Sequence, residues 1–213
     1  SVQMQFMLRP LKITTLSDKS DLKVRFDLFE RLNTGGLKLT DQEIRGCIYR
    51  GQFNDFLERM AATKAFKKVV VLRDSMEGDG TREEYVLRFF AFLHRYKTFE
   101  HSVVDFLNDY MAAATKSFDY VKNEAVFLKT FSELVRVFPD GISRRTRLTP
   151  INLFEAVAVG AAIALGTRST LLRRHVKIWI GSDELKNMTT GGTNNKTMVT
   201  GRIQYVAEKF GGR

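Results

Sequence analysis

The sequence predicts a mainly α-helical protein, an irregular helical bundle with a short strand region at its N-terminal end. Three observations predict it. Apolar residues recur at three- and four-residue spacing in one segment after another from Asp18 onward. Helix-start signals stand at the front of several of those segments. Only 3 prolines interrupt 213 residues. The strand region is "VQMQFMLRPLKITTL" (residues 2–16), where Phe6, Leu8, Leu11 and Ile13 alternate in part and Pro10 confines the segment to an edge or splits it.

The elements follow in order. "SDLKVRFDLFERL" places Leu22, Phe26, Phe29 and Leu32 at helical spacing. Thr40 with Glu43 makes a capping box that opens a helix over Asp41–Arg50. A short helix over "QFNDFLERMAA" follows Gly51, and "DSMEGDG" (Asp74–Gly80) is a turn-rich loop. Helices are then expected over Thr81–Tyr96, Ser102–Lys116 and Phe118–Phe138. "FPDGISRRTRLTP" is a basic linker ending in Thr149, a cap, and Pro150 at the first helical position. The next helix, Ile151–Leu165, carries a single charge, Glu155. At about 15 residues it is shorter than the roughly 20 a membrane span needs, so it reads as the central buried helix of the bundle. Ser169–Ile180 reads as a helix with Arg173, Arg174 and Lys177 opposite Leu172, Val176 and Trp179. "GSDELKNMTTGGTNNK" reads as a polar loop, and a last helix is expected near Thr197–Phe210.

The net charge is +10 and is uneven: residues 140–213 hold 12 lysines and arginines against 5 acidic residues. A basic C-terminal third points to a polyanion, with nucleic acid the commonest, although basicity alone does not specify a partner. One cysteine, Cys47, excludes an intrachain disulfide and fits a reducing, cytoplasmic setting. No secretory leader and no membrane span are expected. Because the sequence opens at Ser1 without methionine, it reads as a piece of a longer protein.

One stretch concentrates the signals: "FERLNTGGLKLTDQEIR", Phe29–Arg45. By local physics Asn33-Thr34-Gly35-Gly36 is a helix C-cap with a left-handed glycine. Two glycines also let backbone N–H groups approach a ligand, and the helix after Thr40 could face an anion.

This stretch resembles the second conserved block of the GmrSD-type restriction endonuclease N-terminal family, whose core is ParB/sulfiredoxin-like. Phe29 and Asn33 match its Phe-x-x-x-Asn motif, Thr-Gly-Gly follows, and Glu43 and Arg45 match a Glu-x-Arg helix. "YVLRFFAFLHRY" (Tyr85–Tyr96) resembles the family's Leu-Arg-Phe helix. The resemblance covers about Asp21–Tyr96. It implies that residues 1–72 are the C-terminal part of a ParB-like α+β core and residues 73–213 a helical domain. It implies a defence or restriction protein that, when intact, is a nucleotide-dependent nuclease or NTPase and binds nucleic acid, DNA foremost. The family's upstream Asp-Gly-Gln-Gln-Arg motif is absent, so the chain would hold half of a site. The other half would come from a missing N-terminal part or from a partner subunit, and an oligomer is compatible with this.

On that reading Asn33 and Glu30 are catalytic candidates, orienting a water or serving as base. Arg31, Thr34, Gly35, Gly36 and Arg45 would bind phosphate or nucleotide. Glu43 is equally explained by its cap. The residues do not name a cofactor; a nucleoside triphosphate with a divalent metal is what the resemblance allows in the intact protein. His94, His101 and His175 are scattered, Cys47 has no base near it in sequence, and no metal-ligand spacing occurs. Arg144, Arg145, Arg147, Arg173, Arg174 and Lys177 are the nucleic-acid candidates, through backbone phosphates. The alternative is a non-catalytic helical module that binds nucleic acid or protein, with "NTGG" a plain joint.

Overall fold

The computed structural model describes residues 38–144 and 147–212, together with Pro10, Val24, Arg25, Phe26, Leu28 and Arg31. The expected strand region, Pro10 apart, lies outside the described residues. Two compact units are present, Ser1–Lys38 and Leu39–Arg213, so residues on both sides of the expected division at 72 share the second unit. In the first unit Val24–Phe26, Leu28 and Arg31 are helical. Among the described residues the second unit is all-α.

Its first helix, α1 (Asp41–Ile48), begins at the expected capping box. Thr40 Oγ1 accepts from Glu43 N at 3.2 Å and Thr40 N donates to Glu43 Oε2 at 2.7 Å. Thr40 Oγ1 also donates to Asp79 O at 2.8 Å, which ties the 74–80 turn to the start of α1. Then come α2 (Gln52–Ala61), the short α3 (Lys64–Val69), a 3-10 turn at Asp74–Met76, and α4 (Thr81–Arg95). Ser102 caps α5 (Val103–Lys116) and Asp119 caps α6 (Tyr120–Val137).

The central helix is α7 (Ile151–Leu165), with Leu153 to Ala162 all buried. It packs most extensively against the last helix, α10 (Lys196–Gly211), and α4 and α6 flank it. The α7–α10 crossing is close at Gly160, where a Cβ would come within 2.8 Å of Val206 Cβ and 2.9 Å of the Ala207 amide nitrogen. The core between α3, α4, α6 and α7 is largely phenylalanine. Phe66, Phe89, Phe127, Phe131 and Phe154 are each 0% exposed and meet edge-on, tilted or, for Phe131 and Phe154, stacked, at 4.4–6.2 Å between ring centroids. Burying each such side chain is worth roughly 1.5–3 kcal/mol, so this cluster dominates the local energetics.

Three expectations are corrected. Thr149 does not cap α7: its hydroxyl accepts from Val71 N at 3.0 Å and donates to Val69 O at 3.3 Å, and Pro150 holds the cap position with no side-chain bond. Ser169–Ile180 is not one helix. The amides of Leu171 and Leu172 donate to Glu133 Oε2 and Phe210 O, so they cannot serve helix carbonyls, and His175 sits at φ 55. Only α8 (Val176–Trp179) remains of it. The polar stretch after Gly181 holds a helix, α9 (Asp183–Thr189), capped by Ser182.

Candidate functional site

The linker after α6 is held against the segment after α3. Ile142 N donates to Val69 O at 2.9 Å and Thr149 N to Val71 O at 2.9 Å. Gly141 makes this approach possible: it has φ 92, and a Cβ there would fall 2.7 Å from Val71 Cγ2. The linker therefore leaves α6 in a fixed direction and runs beside the 173–180 segment.

Between them lies a cleft of about 840 Å³. Arg136 and Arg144 come to it from α6 and the linker, Arg173, His175 and Lys177 from the 173–180 segment, and Asp140 is the one acidic residue among its described lining. Arg136, Arg173, His175 and Lys177 are exposed, and Arg144 is half-buried. Arg136 keeps an ion pair with Glu133 at 2.9 Å. Arg144 is held differently. Its Nε donates to Ile180 O at 2.7 Å and its Nη2 to Thr189 Oγ1 at 2.7 Å. Burial pushes the Arg144 guanidinium below its ordinary value, although an arginine remains charged at any working pH. The apolar part of the wall includes Val176, Phe138 and the exposed Ile178. Phe138 is buried, so it offers no open face for a base.

The structure thus brings Arg144, Arg173 and Lys177 of the expected cationic set together. Arg147 and Arg174 are exposed outside the cleft lining, and Arg145 lies outside the described residues. Arg136, His175 and Thr189 belong to the site and were not among the sequence candidates. Arg136 was hidden because it lies in the last turn of α6, where a cation also reads as a response to the helix dipole.

The second arrangement is a ladder of alternating charges through the interior. Arg45 Nη2 donates to Glu84 Oε2 at 2.7 Å, and Arg88 Nε donates to Glu84 Oε1 at 2.8 Å. Arg88 Nη1 donates to Glu155 Oε1 at 2.6 Å, and Arg202 Nη2 donates to Glu155 Oε2. Gln42 and Asn108 complete the Arg45 fork, and the carbonyls of Met188 and Thr193 accept from Arg202 Nη1. The ladder joins α1, α4, α7 and α10. Burial would push Arg88 down, but the carboxylates of Glu155 and Glu84 outweigh it and its pKa is raised. For Arg45, burial wins over Glu84 and Asp41, and its pKa is lowered.

Arg45 was expected to bind phosphate; here such a contact would have to displace Glu84. Asn33, Glu30, Thr34, Gly35 and Gly36 lie outside the described residues, and Arg31 is an exposed helical residue of the first unit. His94 reaches the surface while its Nδ1 meets Tyr110 Oη at 2.8 Å and its Nε2 meets Asn123 Oδ1 at 3.0 Å. Cys47 is exposed beside a smaller cleft, of about 520 Å³, that Glu43, Arg50, Asp55 and Glu58 also line. Among the described residues no group of His, Cys, Asp and Glu side chains is placed to hold a metal, and no helix is long and apolar enough to cross a membrane.

Comparison of the chain with family models, curated proteins and solved structures returns no match.

Proposed function

We propose that this chain binds the phosphate backbone of nucleic acid through the cleft between α6 and the 173–180 segment, as the helical portion of a GmrSD-like defence protein. The observation that supports the binding is the convergence of Arg136, Arg144, Arg173 and Lys177 on one cleft, from two separate segments, against the single carboxylate of Asp140. Four cations that each neutralise a phosphate on a duplex would make log K fall with log salt at a slope of about −3.6. Affinity would then drop roughly 100-fold between 50 and 200 mM salt. Among the described residues the cleft lining holds no tyrosine or tryptophan and its phenylalanine, Phe138, is buried, so stacking there falls to the imidazole of His175 alone and phosphate contacts carry the binding. Contacts to phosphate carry position rather than sequence, so binding is insensitive to base composition.

The restriction half of the proposal rests on the resemblance of "FERLNTGGLKLTDQEIR" and "YVLRFFAFLHRY". In that reading Asn33 and Glu30 contribute to nucleotide or phosphodiester chemistry only when the upstream motif is supplied by the intact protein or by a partner.

The test is fluorescence anisotropy on a labelled duplex across a potassium chloride series. The expected result is a slope between about −3 and −4. A flat response, or equal binding to vesicles of the same anionic charge density, would refute backbone recognition.

A further inference from the structure

We propose that Arg144 is the anchoring phosphate contact of the cleft and that Thr189 is its positioning residue. The proposal rests on the nucleic-acid reading above and deepens it.

The first observation concerns charge. In the unit from Leu39 onward, the described arginines withdrawn wholly or partly from water are Arg45, Arg82, Arg88, Arg144 and Arg202. Four of them meet a glutamate: Arg45 with Glu84, Arg82 with Glu77, Arg88 with Glu84 and Glu155, and Arg202 with Glu155. Arg144 meets none among the described residues. Its partners are a carbonyl and a hydroxyl, which are neutral. A cation partly out of water without an anion is costly, and a phosphate arriving from the cleft supplies the missing charge.

The second observation concerns aim. The Thr189 hydroxyl donates to Leu185 O at 2.6 Å, so its proton is engaged and its lone pair is left for Arg144 Nη2. Thr189 is buried on the last turn of α9, and Ile180 is buried just after α8. Two fixed acceptors therefore hold one edge of the guanidinium, and Nη1 remains for a ligand. Arg173 and Lys177 are exposed and must be ordered when a ligand binds. Arg144 is already ordered, so it loses less freedom on binding and fixes where the first phosphate sits. A lysine in its place would keep the charge and lose the fork.

The experiment uses the full chain and a fluorescein-labelled duplex at several potassium chloride concentrations, with Arg144→Ala, Arg144→Lys, Thr189→Val and Arg173→Ala. Arg144→Ala should flatten the slope by about 0.9 and weaken binding more than Arg173→Ala does. Thr189→Val and Arg144→Lys should leave the slope unchanged and weaken binding about 3- to 10-fold, because the charge remains and its aim is lost. Should Thr189→Val fail to fold, Arg144→Lys carries the same test. The assignment is overturned if Thr189→Val and Arg144→Lys bind like the parent and Arg144→Ala behaves like Arg173→Ala. A parent chain with no salt slope instead overturns the nucleic-acid reading itself, and this assignment with it.

Discussion

Replacing Glu155 by glutamine keeps the shape of the side chain and removes the charge that two arginines share. Glu155 and Arg202 are both 0% exposed, and Arg88 is 12% exposed at the side chain. Arg88 retains Glu84 at 2.8 Å. Arg202 keeps neutral acceptors only, the glutamine amide oxygen and the carbonyls of Met188 and Thr193 at 3.4 and 3.2 Å, and among the described residues its Nε has no acceptor. The substitution therefore strands one fully buried cation, which costs about 3–5 kcal/mol. For a chain of this length each kcal/mol moves the melting temperature by roughly 2–4 °C, so Glu155→Gln should lower it by about 6–20 °C. Circular dichroism at 222 nm on heating reads this directly. A double-mutant cycle with Arg202→Met isolates the pair. Removing the stranded charge should recover at least about 1 kcal/mol relative to the sum of the single changes. A Glu155→Gln chain melting within 2 °C of the parent would refute the argument that this charge is buried and needed.

The remaining predictions are narrower. Gly160→Ala should destabilise by about 1–3 kcal/mol in urea unfolding, because its methyl meets the Ala207 backbone as well as Val206. Thr40→Ala should cost about 1 kcal/mol, since it removes the box at the start of α1 and the tie to Asp79. The Tyr85 hydroxyl donates to Thr149 O at 2.8 Å, and burial raises its pKa from 10.0 to about 12. Its stabilising contribution is thus whole below pH 10 and is lost as pH rises from 10 through 12. Burial also raises the pKa of Tyr110 and of Tyr120, so absorbance at 295 nm should show several tyrosines ionising late, and Tyr85→Phe should reduce that late amplitude by one tyrosine.

The longer helices could be read in the sequence because packing there agrees with local preference, whereas the short α3 and α9 could not. The Thr40–Glu43 box, the Ile151–Leu165 helix and its burial follow from local rules that the tertiary structure leaves intact. The failures have a common physical source. Thr149, Leu171 and Leu172 each have a long-range hydrogen-bond partner, at Val71, Glu133 or Phe210, and no local pattern announces those partners. The cleft was half legible. Its cations, Arg136 apart, show in the composition of the last third, but that Arg144 lines one cleft with Arg173 and Lys177 depends on how the linker is clamped at Val69–Val71. The ladder left one trace, a lone Glu155 in an apolar helix. A charge in such a place must have a partner, yet nothing nearby in sequence points to Arg202.

The ladder also sets an order of events during synthesis. Its charges leave the ribosome as Arg45, Glu84, Arg88, Glu155 and finally Arg202, which sits in α10 and emerges after α7. Until then Glu155 has at most one counter-ion, and α7 lacks the helix it packs against most extensively. The earlier helices can gather through their phenylalanines, but the middle of the unit closes only when α10 arrives with its charge. A chain that stops short of Arg202 leaves Glu155 with Arg88 as its one counter-ion among the described residues, and α7 without the helix that covers it.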